Sequence, residues 1–208
     1  RDHVILPGDT AQPQVWEELA ETLADLEVKI AAIDSGYNAS QVYAFVAKRR
    51  WCFATKGVTG MGRPLVEDEK KRRQRLRVKR KRGVPVEPVG VDGGKALIYA
   101  RLKQMEPGPG YVHFPQAPAF DDEYFAQLAA EKLVTRFKGH RPIQEWVQTR
   151  PRNEALDCLI LALVALRLSG ATLKDAAVAV DAEKAPKTEP SPPPRRIKPA
   201  GGFSVKRW

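Results

Sequence analysis

The sequence predicts an α/β protein: a mixed, mostly parallel central sheet flanked by helices on both faces. Two observations carry this. Short apolar runs, Val28–Ile33 and Trp51–Thr55, alternate with longer stretches of helical period. Apart from Lys29 these runs are apolar, and strands alternating with helices imply a largely parallel sheet covered on both faces. Parallel strands need long crossover connections, and the intervening helices supply them.

The elements follow in order. Residues 16 to 26 place Trp16, Leu19, Ala20, Leu23 and Leu26 on one helical face. Val28 to Ile33 reads as a buried strand. Asn38 or Ser40 is suited to cap a helix running to about Arg49. Trp51 to Thr55 reads as a strand stopped by Lys56-Gly57. Residues 58–83, first Gly-rich and then charged, read as a loop or exposed hairpin. Val84 to Val91 is extended, and Pro85 and Pro88 argue for an irregular or edge strand. Gly94 to Met105 reads as a helix, ended by the turn sequence 106–110. Tyr111 to Phe114 reads as a short strand. Asp121 or Asp122 caps a helix expected to reach Phe137, Ile143 to Val147 a strand, and Asn153 to Leu168 a strongly apolar helix. Residues 1–26 thus form a lead-in with one helix, and residues 27–170 the main domain. Residues 171–208 form a Pro-rich basic tail, expected to be disordered because it has too little apolar surface to offset ordering entropy. Phe203 and Trp208 are its candidate anchors.

Composition narrows the class. The chain has 208 residues and is 43% hydrophobic, enough for a real core. No apolar run approaches the roughly 18 residues of a membrane span. Cys52 and Cys158 are too few for a disulfide framework and read as buried free thiols in a reducing compartment. The net charge of +10 is concentrated. Between residues 70 and 82 stand Lys70, Lys71, Arg72, Arg73, Arg75, Arg77, Lys79, Arg80, Lys81 and Arg82, with no acid among them. Runs of one sign mark flexible arms or nucleic-acid contacts, and this one is suited to phosphate binding. The acids Glu67-Asp68-Glu69 just before it are placed to hold it back when no polyanion is present.

Three carboxylates stand in strongly patterned settings. Asp34 ends the first strand and precedes Ser35-Gly36-Tyr37. Asp92 ends the third extended run and precedes Gly93-Gly94-Lys95. Asp157 lies in the first turn of the apolar last helix. Functional groups of α/β folds gather beyond the carboxyl ends of strands. Two acids there, with a third from a helix, suit hard divalent cations and metal-assisted phosphodiester cleavage. Two of the acids also have a plain reading, Asp34 as an Asx-turn and Asp92 as a turn or cap, whereas Asp157 in an otherwise apolar helix is hard to explain as merely solvated. Glu154, three residues before Asp157, shares its helix face and is an outer metal ligand or water-orienting candidate. Alternatively, it complements the helix dipole. Lys56 and Lys95 lie near the expected strand ends and are candidates for the scissile phosphate. His3, His113 and His140 have no ligand spacing.

Six blocks then appear in order: Ala31-Ala32-Ile33-Asp34-Ser35-Gly36-Tyr37, Phe53-Ala54-Thr55-Lys56-Gly57, Val89-Gly90-Val91-Asp92-Gly93-Gly94-Lys95, Val112-His113-Phe114-Pro115, Tyr124 through Glu131, and Arg152-Asn153-Glu154-Ala155-Leu156-Asp157-Cys158. Over roughly residues 3–169 this series resembles the C-terminal nuclease domain of lambda-type phage terminase large subunits. The resemblance implies an RNase H-like fold that cuts concatemeric double-stranded DNA with two Mg2+ or Mn2+ ions. It maps the acids onto Asp34, Asp92 and Asp157. Asp34, expected on the central strand, is the choice for the bridging ligand, and Asp92 and Asp157 each complete one ion. The portal protein and terminase small subunit are the implied partners, and the capsid portal in the host cytoplasm the implied location. Relatives commonly have Thr-Ala where this chain has Gly93-Gly94, and a basic residue where it has Pro151. The glycine cluster 57–62 lacks the Lys-Ser or Lys-Thr of a phosphate-cradling loop, so this chain is not expected to hydrolyse ATP. A full-length protein would carry that ATPase domain upstream. A junction resolvase of the same fold and a catalytically inactive DNA-binding or assembly module remain as alternatives.

Overall fold

The computed structural model describes residues 3–79 and 83–170. Arg80, Lys81, Arg82 and the tail from residue 171 lie outside the described residues. Three parallel strands, β1 (Ala31–Asp34), β2 (Cys52–Val58) and β3 (Val86–Gly90), form a sheet in the order β1-β2-β3. Asp34 pairs in register with Thr55, and Gly90 with Val58, so all three strands end along one edge. β2 is the central strand. Asp34 therefore sits on an edge strand, not the central one expected, because among the described residues β1 pairs with β2 alone. β3 is the opposite edge, consistent with its proline, Pro88, and Val66 bridges antiparallel to its Val89.

Helices cover both faces. The side chains of β1 alternate, as the two-residue period of a strand requires. Ala31 and Ile33 join the cluster of Val42, Phe45, Val46, Cys52 and Ala54, built on α2 (Ala39–Ala47). The helix α1 (Pro13–Asp25) packs there through Trp16, Leu19, Ala20 and Leu23, with the Trp16 and Phe45 rings 5.3 Å apart. Ala32 turns to the other cluster, where Val89 meets Ile98, Tyr124, Leu128, Leu156 and Ile160. These come from α4 (Val91–Leu102), α5 (Asp122–Leu128) and α6 (Glu154–Leu168).

Several sequence expectations are corrected. The segment 58–83 contains a helix, α3 (Glu69–Lys79), rather than a loop or hairpin. Asp68 caps it by accepting the Lys71 amide at 3.0 Å, and Lys and Arg are themselves good helix formers. The helix begun at Asp122 stops at Leu128 instead of Phe137. Residues 131–138 form β4 (Glu131–Lys138), paired antiparallel with β5 (Arg141–Gln148) in a separate two-stranded ribbon. Gly139, at φ +62°, and His140 make the two-residue loop between them. A glycine at the first loop position is what such tight hairpins favour. The antiparallel strands are thus a separate ribbon, not a part of the central sheet. Residues 111–114 form no strand. Phe114 instead packs its ring with Phe120, Tyr124 and Phe125. Asn38 occupies the cap position of α2, but its side chain bonds Thr10 Oγ1 at 2.6 Å rather than its own helix.

Both cysteines are free, as expected, but only Cys52 is buried. Cys158, on α6, keeps a surface open to solvent. No helix among the described residues is long and apolar enough to cross a membrane.

Candidate functional site

The carboxyl edge of the sheet is fixed by a polar seam between β1 and β2. Ser35 N–H and Oγ–H both donate to the Thr55 carbonyl, at 2.8 and 2.7 Å, and Thr55 Oγ1–H donates to the Ile33 carbonyl at 3.0 Å. Ser35 and Thr55 are buried. Buried polar groups that are fully paired hold the backbone in one arrangement. Asp34 adjoins both on that rigid seam with its side chain in solvent, accepting the Gly36 amide at 3.1 Å. Lys56 follows Thr55 on β2 and is exposed beside it.

Asp92 reaches the same edge from β3. It lies in the first turn of α4, which follows β3 without a loop, and not on the strand end. β1 and β3 flank β2, so their backbones stand on the order of 10 Å apart. The Gly60 amide donates to Asp92 Oδ2 at 2.7 Å, tying the glycine loop over this corner. That loop accounts for the departure at Gly93. A Cβ there would stand 2.5 Å from the Arg63 carbonyl oxygen, so a side chain is excluded unless the loop moves.

Asp157 projects from the first turn of α6, which packs against β1. Its pKa lies above the ordinary aspartate value. Loss of solvent on its packed side is the largest cause; the Lys95 charge pulls it down, and the charges of Glu131, Asp34 and Glu154 push it up. Crowding of like charge thus contributes, but less than burial. The fold therefore brings Asp34, Asp157 and Glu154 into one electrostatic neighbourhood and adds a residue that sequence reasoning misses, Glu131. In the middle of an expected helix, Glu131 has no role. The Gly139-His140 turn, which makes it the root of a strand, is the signal for it. Its side chain is 4% exposed and holds Lys95 Nζ at 2.7 Å. Lys95, expected at a phosphate, is occupied by this ion pair. Glu154 is exposed and 3.9 Å from Arg152.

Among the described residues, no three acids, histidines or cysteines converge closely enough to hold a metal ion. The chemistry of the donors, all carboxylate oxygens, nevertheless fits a hard divalent cation.

The basic run divides in two. Arg72 Nε lies 3.0 Å from Glu87 Oε1, and Arg75 donates to Glu87 Oε2, to Glu67 Oε2 at 2.8 Å and to the Val86 carbonyl at 2.6 Å. Glu87 is 2% exposed. Burial works against the Arg75 charge, but Glu67 and Glu87 outweigh it and raise its pKa. These two arginines dock α3 on the sheet. Lys70, Lys71 and Arg73 face solvent, the last two beside Asp68 and Glu69. The three acids before the run thus cap and pair with the helix.

A three-stranded parallel sheet covered by helices, with carboxylates at its carboxyl edge and a basic helix docked on it, defines the class: an α/β domain with a charged sheet edge. The comparisons with known proteins are narrower. The chain belongs to the family of terminase large subunit gpA endonuclease domains, whose profile matches residues 2–177. It is similar to the terminase large subunit of Escherichia phage lambda, 39% identical over 119 residues. It is also similar to that of Enterobacteria phage P21, 37% identical over 121 residues. Each alignment covers 55% of this chain and 18% of the relative. No solved structure matches.

Proposed function

We propose that this chain is a divalent-metal-dependent endodeoxyribonuclease on an RNase H-like core. It cuts double-stranded viral DNA concatemers during genome packaging. The observation that carries the reading is the shared electrostatic neighbourhood of Asp34 on β1 and Asp157 on α6, within a chain of the gpA endonuclease family. Asp34, Asp92 and Asp157 would hold two Mg2+ or Mn2+ ions, with Glu154 as an outer ligand. Such ions supply an activated water and stabilise the departing 3′ oxygen. The chain's own part is placement. The Ser35–Thr55 seam fixes Asp34, the Gly60 amide steers Asp92, and Lys56 faces the solvent where a phosphate would approach. The outward cations of α3, Lys70, Lys71 and Arg73, grip the backbone without reading bases. Arg77, Lys79, Arg80, Lys81 and Arg82 extend the same stretch. In the whole protein, the partners are a portal and a small subunit, at the capsid portal in the host cytoplasm.

The test is incubation with linear, supercoiled and four-way-junction DNA, with and without Mn2+. Manganese-dependent cutting of linear and supercoiled duplex is expected. Asp34→Asn, nearly isosteric, should abolish it with the fold intact. Selective cutting of the junction would instead favour a resolvase. Binding without any cutting would indicate an assembly module.

A further inference from the structure

Glu131 is the one carboxylate of the acidic neighbourhood that is both deeply buried and fully engaged. Its Oε2 takes Lys95 Nζ at 2.7 Å, its Oε1 takes Asn153 Nδ2 at 2.9 Å, and its backbone N–H donates to the Tyr99 hydroxyl at 3.1 Å. Lys95 lies on α4, three residues after Asp92. Asn153 is the cap residue of α6, four residues before Asp157. A cap asparagine ordinarily spends its side chain on its own helix. Here it makes no such bond and is given to Glu131 instead. One side chain therefore joins the helix that carries Asp92 to the helix that carries Asp157.

We infer that Glu131 is a positioning residue for the acid cluster. It fixes α4 against α6 and keeps the Lys95 ammonium in an ion pair of its own. The inference rests on the metal reading above. The chemistry distinguishes the two partners of the pair. Removing the Glu131 charge frees the ammonium to turn on Asp157, and it also takes negative charge away from an approaching cation. Both effects weaken metal binding. Removing the Lys95 charge leaves the cluster more negative and strengthens it. A merely structural pair would lose metal binding from either side alike. Groups that orient metal ligands from behind typically change affinity by about 10–100-fold when removed.

The experiment is Mn2+ titration of the 208-residue chain without DNA, read by calorimetry and by the manganese-induced rise in Tm. Glu131→Gln is expected to weaken Mn2+ binding about tenfold and Lys95→Met to tighten it. The double variant should return close to the parent, because the charges removed cancel. Should Glu131→Gln fail to fold, Lys95→Met decides alone: tightening supports the inference and weakening overturns it. Unchanged binding in Glu131→Gln, or an equal loss in both single variants, also overturns it. Asp34→Asn is the control on the underlying reading. If the parent binds no Mn2+, or Asp34→Asn binds it as the parent does, the metal assignment fails and this inference with it. If Asp34→Asn loses binding while Glu131→Gln does not, this inference alone fails.

Discussion

Two buried glutamates divide the molecule. Glu87, on β3, is enclosed by two guanidiniums, and Glu131, at the root of β4, holds one ammonium and one amide. Both are nearly solvent-free, at 2% and 6% exposed. The difference lies in the partners. An arginine fork meets a carboxylate with fixed geometry, whereas a lysine offers a compact charge on a flexible stem. The Glu87 cluster is accordingly a fastening: it seats α3 and leaves Lys70, Lys71 and Arg73 on the exposed face. The Glu131 cluster stands among other acids, and the charge it holds is a lysine's. The same residue type, buried to the same degree, is architectural in one place and tied to the site in the other.

The largest effect should come from the fastening. Glu87→Ala leaves Arg72 without its carboxylate and Arg75 with Glu67 alone. Breaking a buried pair from one side costs roughly 3–5 kcal/mol. The partial exposure of these arginines, 20% and 17%, puts the expected loss near the lower end. Urea unfolding measures it. Mn2+ uptake by the folded fraction should not change, and if it falls as in Glu131→Gln the two clusters are not distinct.

A smaller effect separates the two faces of α3. Replacing Lys70, Lys71 and Arg73 with Gln should keep the helix and weaken DNA binding at all sequences alike. The salt dependence should flatten by roughly one unit of slope for each phosphate the helix no longer grips. Arg72→Gln should lower stability and leave the slope as it was. Equal slopes in both variants would show that the outer cations are not the grip.

The smallest effect uses the cysteines as reporters. Burial pushes the Cys52 thiol up to about 11, so it should resist thiol labelling at pH 8 until the protein unfolds. Cys158 is also raised, first by loss of solvent and then by the charges of Asp157 and Glu154. Asp157→Asn removes one of those charges and should speed labelling of Cys158 several-fold, with Cys52 unaffected. Unchanged Cys158 kinetics would mean that Asp157 carries little charge in the metal-free protein.

How much is legible in the sequence depends on how local the determining force is. Short apolar runs mark β1 and β2, the extended Pro-containing stretch 84–91 marks β3, and the apolar periodicity of residues 154–168 marks α6. The expected helix over 122–137 fails in its second half because Glu131 to Phe137 has residues that tolerate either state, and cross-strand pairing with residues 141–148 decides it. The basic run reads as one surface because charge is visible in a sequence and a distant partner is not: Glu87 is 15 residues from Arg72.

The sequence by itself determined the parallel α/β core, the strand-end setting of Asp34, the helical setting of Asp157 and the placement of positive charge near residue 75. Each follows from neighbours within a turn or a strand. Only the tertiary structure decided that β1 is an edge, that Asp92 opens a helix under the Gly60 loop, and that Arg72 and Arg75 face inward. It alone brought Glu131 to Lys95 across 36 residues and to Asn153 across 22. The physical reason is burial: a charge withdrawn from water must find its counter-charge wherever the packed chain presents one.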